Sequence, residues 1–161
     1  MPKRRRVVVS RGPVAPRPIA KEIIKVTITN AGTTQRSTTL KTTTFPCTIT
    51  GIRWSLAILS KTTTDQVNGL WMIVRTKDGQ TTSTISLTDG GTAYQPETDV
   101  LAFGAFGLAD VDQSSPSTHL AEGQTKAMRK LSDGDAIYFI VLCDTGTNTE
   151  VQGAIQFFCK S

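Results

Sequence analysis

The chain has 161 residues, the length of a single domain, and a net charge of +5 that is unevenly distributed. Residues 1–25 carry a net charge of +7, whereas residues 26–161 carry −2. Threonine, which favours strands, occurs 26 times and glutamate only 4 times, so the composition excludes a helical bundle. No apolar run approaches the roughly 20 residues that span a bilayer, and the basic N-terminus lacks the apolar stretch of a secretion signal.

Residues 1–20 are predicted to form a flexible basic arm ahead of a folded body of residues 21–161. The arm holds four prolines and six cations but no acid. Proline disrupts regular strands and like charges repel, so the arm has little tendency to fold. A mobile polycation neutralises phosphates and releases counterions, and guanidinium groups contact phosphate in bidentate fashion.

Nucleic-acid binding is therefore predicted for six arm residues: Lys3, Arg4, Arg5, Arg6, Arg11 and Arg17. A short run of Lys and Arg is also typical of nuclear localisation signals. A pure import signal and a solubilising tail are the alternatives. The arm has no aromatic residue for base stacking, so its binding is predicted to be independent of sequence.

The body is predicted to consist of seven or eight strands. Ile24, Val26 and Ile28 alternate with polar residues, as in a half-buried strand. In the next apolar segment, 49–58, the alternation changes phase at Gly51, which predicts a β-bulge. Further strands are predicted at 70–74, 85–87, 100–108, 137–142 and 151–157. Strands separated so regularly by turns indicate a sandwich or a barrel.

The segment before residue 131 is ambiguous between helix and strand. Thr125–Leu131 is predicted as a strand, and a short helix is allowed near Pro116–Glu122. His119, the only histidine, is placed in a surface loop of this segment.

No catalytic, metal-binding or cofactor-binding motif is found in the sequence. A Ser/His/Asp or Cys/His site would have to use His119, which lies in no recognisable motif. Asp133 and Asp135 flank a glycine, as in an ordinary turn. The three cysteines have no metal-ligand spacing and are expected to be reduced in the cytosol or nucleus. We predict no enzymatic activity, no metal and no cofactor.

Cations of the body are further candidates for nucleic-acid binding: Arg53, Lys126, Arg129 and Lys130. The last three are close in sequence and could extend the basic surface of the arm, with an ordinary solvated segment as the alternative. Trp54 and Trp71 lie in apolar strand patterns, which favours core packing over base stacking.

Two C-terminal segments resemble the capsid proteins of circovirus-like viruses, which have small circular single-stranded DNA genomes and encode a replication-initiator protein. Residues 126–140 resemble the basic strand, Gly-Asp turn and apolar strand of that family, and residues 151–160 resemble its last strand. The resemblance implies an all-β fold, an eight-stranded jelly-roll β-sandwich. It also implies self-assembly into the smallest icosahedral shell, of 60 copies.

In such a shell the arm would face inward, bind the single-stranded DNA genome and act as the nuclear localisation signal through Lys3, Arg4, Arg5 and Arg6. The implied partners are other copies of the chain, the genome, a host import receptor and a cell-surface receptor, without membrane insertion. The implied locations are the virion and, during assembly, the host nucleus. Sixty copies of the +7 segment supply about 420 positive charges, so a genome of about a thousand nucleotides or more would need cations of the body as well.

Three other functions are open alternatives. A coat protein like those of satellite plant viruses would have a similar size, arm and fold but would package single-stranded RNA. A non-capsid, OB-like barrel that binds single-stranded nucleic acid would need exposed aromatic side chains on a sheet face. Only 10 of the 161 residues are aromatic, and most occupy apolar strand positions. A β-sandwich enzyme that depends on His119 is the third alternative.

Overall fold

The computed structural model describes residues 19–31, 35–60, 66–80, 99–108, 118–126, 128–144 and 149–160. These ranges contain nine strands: β1 (Ile19–Ala31), β2 (Arg36–Thr42), β3 (Cys47–Ser60), β4 (Val67–Thr76), β5 (Asp99–Leu108), β6 (Thr118–Thr125), β7 (Arg129–Leu131), β8 (Ala136–Cys143) and β9 (Thr149–Lys160). β1 begins two residues before the predicted start of the body. The strand predicted at 85–87 lies outside the described residues.

The strands form two antiparallel sheets whose order defines a jelly roll. One sheet has the order β1-β9-β3-β6, with the short β7 also paired to β3, and the other has the order β2-β8-β4-β5. The pairs β4–β5, β3–β6, β2–β8 and β1–β9 are nested, as if one long hairpin had been rolled up. This nesting is the jelly-roll topology. The predicted all-β jelly-roll sandwich is therefore confirmed, with nine strands in the described ranges where eight were expected.

In the strands predicted from alternation, the apolar positions face the core as expected. Val26 and Ile28 of β1 are buried, and so are Ile52, Leu56 and Ile58 of β3. The predicted bulge is present, because the register between β3 and β9 shifts between Ile49 and Gly51. The inward faces of both sheets meet in one core, whose largest fully buried side chains include Phe139 and Phe157.

A second apolar cluster lies on the outward face of the β2-β8-β4-β5 sheet. Met72 and Val74 of β4 pack there with Ile140 and Leu142 of β8, and all four are buried. This arrangement explains why the runs at 70–74 and 137–142 are apolar on both faces of their strands. The outward face of this sheet is therefore not solvated where these four side chains lie.

The expected helix near Pro116–Glu122 is wrong for the residues that the structure describes. From Thr118 onward the chain is the strand β6, paired with β3 over eight residues. Gly123 allows β6 to pack against the Trp54 ring, since a Cβ at this position would lie 2.5 Å from that ring. The predicted strand Thr125–Leu131 is also wrong as a single element, because β6 ends at Thr125 and β7 begins at Arg129.

His119 lies within β6 and not in a loop, and its ring centroid is 6.4 Å from that of Phe106. The predicted packing of the tryptophans is confirmed for Trp71, which is 3% exposed. Trp54 is half-buried and packs against the core, with its ring centroid 5.3 Å from that of Trp71.

The Asp-Gly-Asp sequence forms a turn, as predicted, and its second aspartate is structural. Asp135 is buried, and its carboxylate accepts hydrogen bonds from the backbone N–H groups of Ser132 at 2.9 Å and Asp78 at 3.3 Å. Gly134 has a φ of 81° in this turn. Within the described ranges, no group of three or more His, Cys, Asp and Glu side chains is arranged to hold a metal ion.

Gly153 of β9 lies directly opposite Leu56 of β3 and provides a test of the fold. A Cβ at this position would lie 2.9 Å from the Cα of Leu56 and closer still to the backbone oxygen of Ser55. Gly153→Ala is expected to lower the free energy of unfolding by about 1–3 kcal/mol, because the clashing backbone atoms of β3 cannot move aside without straining the paired strands. Urea denaturation measures this effect. Gln152→Ala, at an exposed neighbouring position, is the control and should change stability by about 0.5 kcal/mol or less.

Candidate nucleic-acid interface

Cations line the outward face of the β1-β9-β3-β6 sheet. Side chains directly opposite in antiparallel strands share a face, so the register defines which residues project outward together. Five exposed cations do so, and we name this set the basic face: Lys21, Lys25, Arg53, Lys130 and Lys160. No ion pair joins any of these five side chains to another residue of the described ranges.

The basic face is densest at the end of the sandwich where β1 begins. Lys160 lies opposite Ile19 on one side and Thr48 on the other, and Thr48 in turn lies opposite Lys130. Lys160 on β9 and Lys130 on β7 thus lie on either side of β3, about 10 Å apart. Lys21 belongs to the next row. This spacing lets one flexible polyanion contact several of the cations at once.

Acidic residues lie toward the other end of the same face. Glu150 is on β9 beside Leu59, ten residues from Lys160, which corresponds to about 33 Å along the strand. Glu122 of β6 is closer, and its carboxylate accepts a hydrogen bond from the Ser55 hydroxyl at 2.9 Å. The positive potential is therefore concentrated at the β1 end, which is the end that the N-terminal residues join.

Two of the four predicted body cations belong to the basic face and two flank it. Arg53 and Lys130 project outward on β3 and β7. Lys126 is exposed just after the end of β6. Arg129 lies opposite the buried Ile49 but is itself exposed, and its Nη1 donates a hydrogen bond to the backbone oxygen of Met128 at 3.2 Å. The six predicted arm residues, Lys3, Arg4, Arg5, Arg6, Arg11 and Arg17, lie outside the described residues.

Sequence reasoning did not single out Lys21, Lys25 and Lys160 as binding residues of a shared surface. The alternation in β1 does put Lys21 and Lys25 on the face opposite Val26, so their outward direction could have been predicted. Their proximity to Lys160 could not, because it depends on the pairing of the first strand with the last. The resulting cluster joins residues that are 139 positions apart.

An ion pair connects the two sheets beside the basic face. The Lys41 ammonium on β2 donates a hydrogen bond to the Glu22 carboxylate on β1, so the pair links the two sheets. Burial alone would lower the pKa of Lys41, but the hydrogen bond and charge of Glu22 outweigh it and raise this pKa. Because the pKa of Lys41 is raised, its ammonium group stays charged at neutral pH and the ion pair stabilises the folded state there. This stabilisation is lost only in strongly basic solution. Lys41 is thus engaged in the fold and is not part of the basic face.

The cysteines of the chain are free thiols: Cys47, Cys143 and Cys159. Burial raises the pKa of Cys143 and is the main cause that raises the pKa of Cys159. Both thiols therefore stay protonated and weakly nucleophilic at neutral pH.

No protein-family model matches the chain, and no curated protein matches it in sequence. Among solved structures it is similar to a chain of Desmodium yellow mottle tymovirus, with 13% identity, 92% of each chain covered and a TM-score of 0.31. The jelly-roll assignment rests on the strand order of this chain and does not depend on that similarity. The described ranges contain no helix that is long and apolar enough to cross a membrane.

Proposed function

We propose that this protein is a viral capsid subunit that assembles into a small icosahedral shell of 60 copies and packages single-stranded DNA. The observation that carries the proposal is the position of the basic face. It lies on a jelly roll, a fold that viral capsid proteins use, and its densest end is where the basic N-terminal residues enter β1. Arm and basic face together make one polycationic surface for phosphates.

The basic face adds five cations per subunit to the six of the arm. Arms alone would leave a genome of about a thousand nucleotides largely unneutralised. The other outward face cannot serve in the same way, because its centre is occupied by the buried cluster around Val74 and Leu142. The face formed by β1, β9 and β3 is therefore the side that we assign to the shell interior.

Self-assembly is supported by exposed apolar side chains on edge strands. Ile23 on β1 is 66% exposed, Phe103 on β5 is 72% exposed and Leu120 on β6 is 71% exposed. β1 and β6 are the edges of one sheet, and β5 is an edge of the other. Apolar surface on opposite sides of a subunit fits a head-to-tail contact, which closes into a ring or shell when the rotation between copies is suitable.

The choice of DNA rests on the resemblance of residues 126–140 and 151–160 to circovirus-like capsid proteins, since phosphate contacts do not report the sugar. Lys3, Arg4, Arg5 and Arg6 are proposed to act as the import signal before assembly. A non-capsid module that binds single-stranded nucleic acid is the second candidate. The observation that favours it is Phe158, an aromatic side chain on the outward face of the sheet.

The mass of the purified protein separates these two candidates. Light scattering and negative-stain microscopy, at low and high salt, should show uniform megadalton particles whose 260/280 nm absorbance ratio reveals packaged nucleic acid. A monomer or dimer under every condition would refute the capsid proposal and favour the binding module.

The basic face has its own test in the salt dependence of binding. Lys130→Gln together with Lys160→Gln should reduce the slope of log affinity against log salt by about 1.4, because each lost phosphate contact to a single strand removes about 0.7. Fluorescence anisotropy with a labelled oligothymidylate gives the slope. Arg36→Gln with Lys77→Gln is the matched control, since both cations are exposed but belong to the other sheet and its turn. Equal slopes for the two double variants would contradict the assignment of this face.

A further inference from the structure

Phe158 is an aromatic side chain among the cations of the basic face. Its neighbour Phe157 is fully buried in the core, so the alternation of β9 turns Phe158 outward. Lys21 lies directly opposite Phe158 on β1, and Lys160 follows two residues later on the same face. Directly opposite side chains in a sheet are about 5 Å apart at Cβ, so the ring lies within reach of both ammonium groups.

The position of Phe158 is held by the bulge of β3. Gly51 lies opposite Phe158, and the Cδ2 atom of the ring is 3.6 Å from the place that a Cβ of Gly51 would occupy. The Thr50 hydroxyl donates a hydrogen bond to the backbone oxygen of Phe158 at 3.1 Å. The ring thus packs against Gly51, which has no side chain, and it stays half-exposed.

We propose that Phe158 is a stacking platform for an unpaired base, with the flanking phosphates held by Lys21, Lys160 and Arg53. Proteins that bind single strands combine a positive surface with aromatic side chains on which bases stack, and the stacking tolerates any base. Paired bases within a duplex are not available for this contact. The ligand of this face is therefore single-stranded nucleic acid. The inference rests on the proposed function, because it requires that the basic face contacts the genome.

Phe158→Leu tests the platform while it keeps an apolar side chain of similar volume. Affinity for a labelled oligothymidylate should fall at least about fivefold, whereas affinity for a duplex of the same length and the salt slope should stay unchanged. Phe158→Tyr should bind as the unchanged protein does. Phe103→Leu, which removes an exposed aromatic ring from the other sheet, is the matched control and should have no effect. Unchanged single-strand affinity, or an equal loss for single strand and duplex, would overturn the inference.

Photocrosslinking on the unchanged protein gives a test that does not depend on the folding of any variant. Oligonucleotides with 5-iodouracil should form an adduct that mass spectrometry maps to Phe158, and adducts confined to the arm would overturn the inference. The proposed function fails in a different way. In that case the protein forms no megadalton particles, or binds no nucleic acid at all.

Discussion

Neutralising the six cations of the arm is expected to lower the affinity for single-stranded DNA by about a thousandfold or more at moderate salt. The variant replaces Lys3, Arg4, Arg5, Arg6, Arg11 and Arg17 with glutamine in the full chain. Each phosphate contact to a single strand contributes about 0.7 to the slope of log affinity against log salt, so the slope should fall by about 4. No contact specific to a base is lost, and the loss should therefore be equal for different sequences.

Fluorescence anisotropy over a range of sodium chloride concentrations measures both quantities. Residual binding by the neutralised variant should depend on the basic face and should decrease further when Lys130 and Lys160 are also replaced. The control again replaces Arg36 and Lys77, which are cations of the other sheet and its turn. A neutralised variant with the slope of the unchanged protein would contradict nucleic-acid binding by the arm and leave the import signal as the interpretation of its charge.

The sequence allowed most of the strands to be predicted, because a core between two sheets imposes alternation. β1, β3 and β9 alternate with their buried faces as expected, and the phase change at Gly51 predicted the bulge correctly. β2 was not predicted. Leu40 is its only large apolar residue, and its other positions are polar, so an edge strand rich in threonine and serine resembles a loop.

The candidate site was harder to predict than the fold, for a physical reason. Each cation of the basic face has an outward direction that local alternation determines, but the cluster depends on nested pairing between distant strands. Phe158 illustrates the same limit, because its sequence neighbours suggest a core residue while its register places it outward, opposite Lys21. The segment before Gly123 was misinterpreted because its strand conformation comes from pairing with the distant β3, which no local pattern records.

Replacing Phe103 and Leu120 with lysine is expected to abolish the megadalton particles and leave a folded subunit in solution. The two side chains lie at one edge of the sandwich, where β5 and β6 run beside each other, and each projects from the outward face of its own sheet. They are more than two-thirds exposed in the single subunit, so lysine at these positions should cost little stability. In a shell, however, burying two ammonium groups in an apolar contact is costly. The cost is repeated at every copy, so a modest penalty per contact prevents closure.

Light scattering and negative-stain microscopy measure the assembly, and thermal unfolding followed by circular dichroism verifies the fold. Phe103→Leu with Leu120→Met is the matched control, because it keeps both side chains apolar and should still form particles. The lysine variant should retain its arm and basic face, so it should bind single-stranded DNA as a small species. Megadalton particles from the lysine variant would show that the subunit contact lies elsewhere, for example at Ile19 and Ile23 of β1, which are the other large apolar residues exposed on an edge strand of the described ranges. Loss of assembly with a preserved fold and preserved DNA binding would instead locate the contact at the β5–β6 edge of the sandwich.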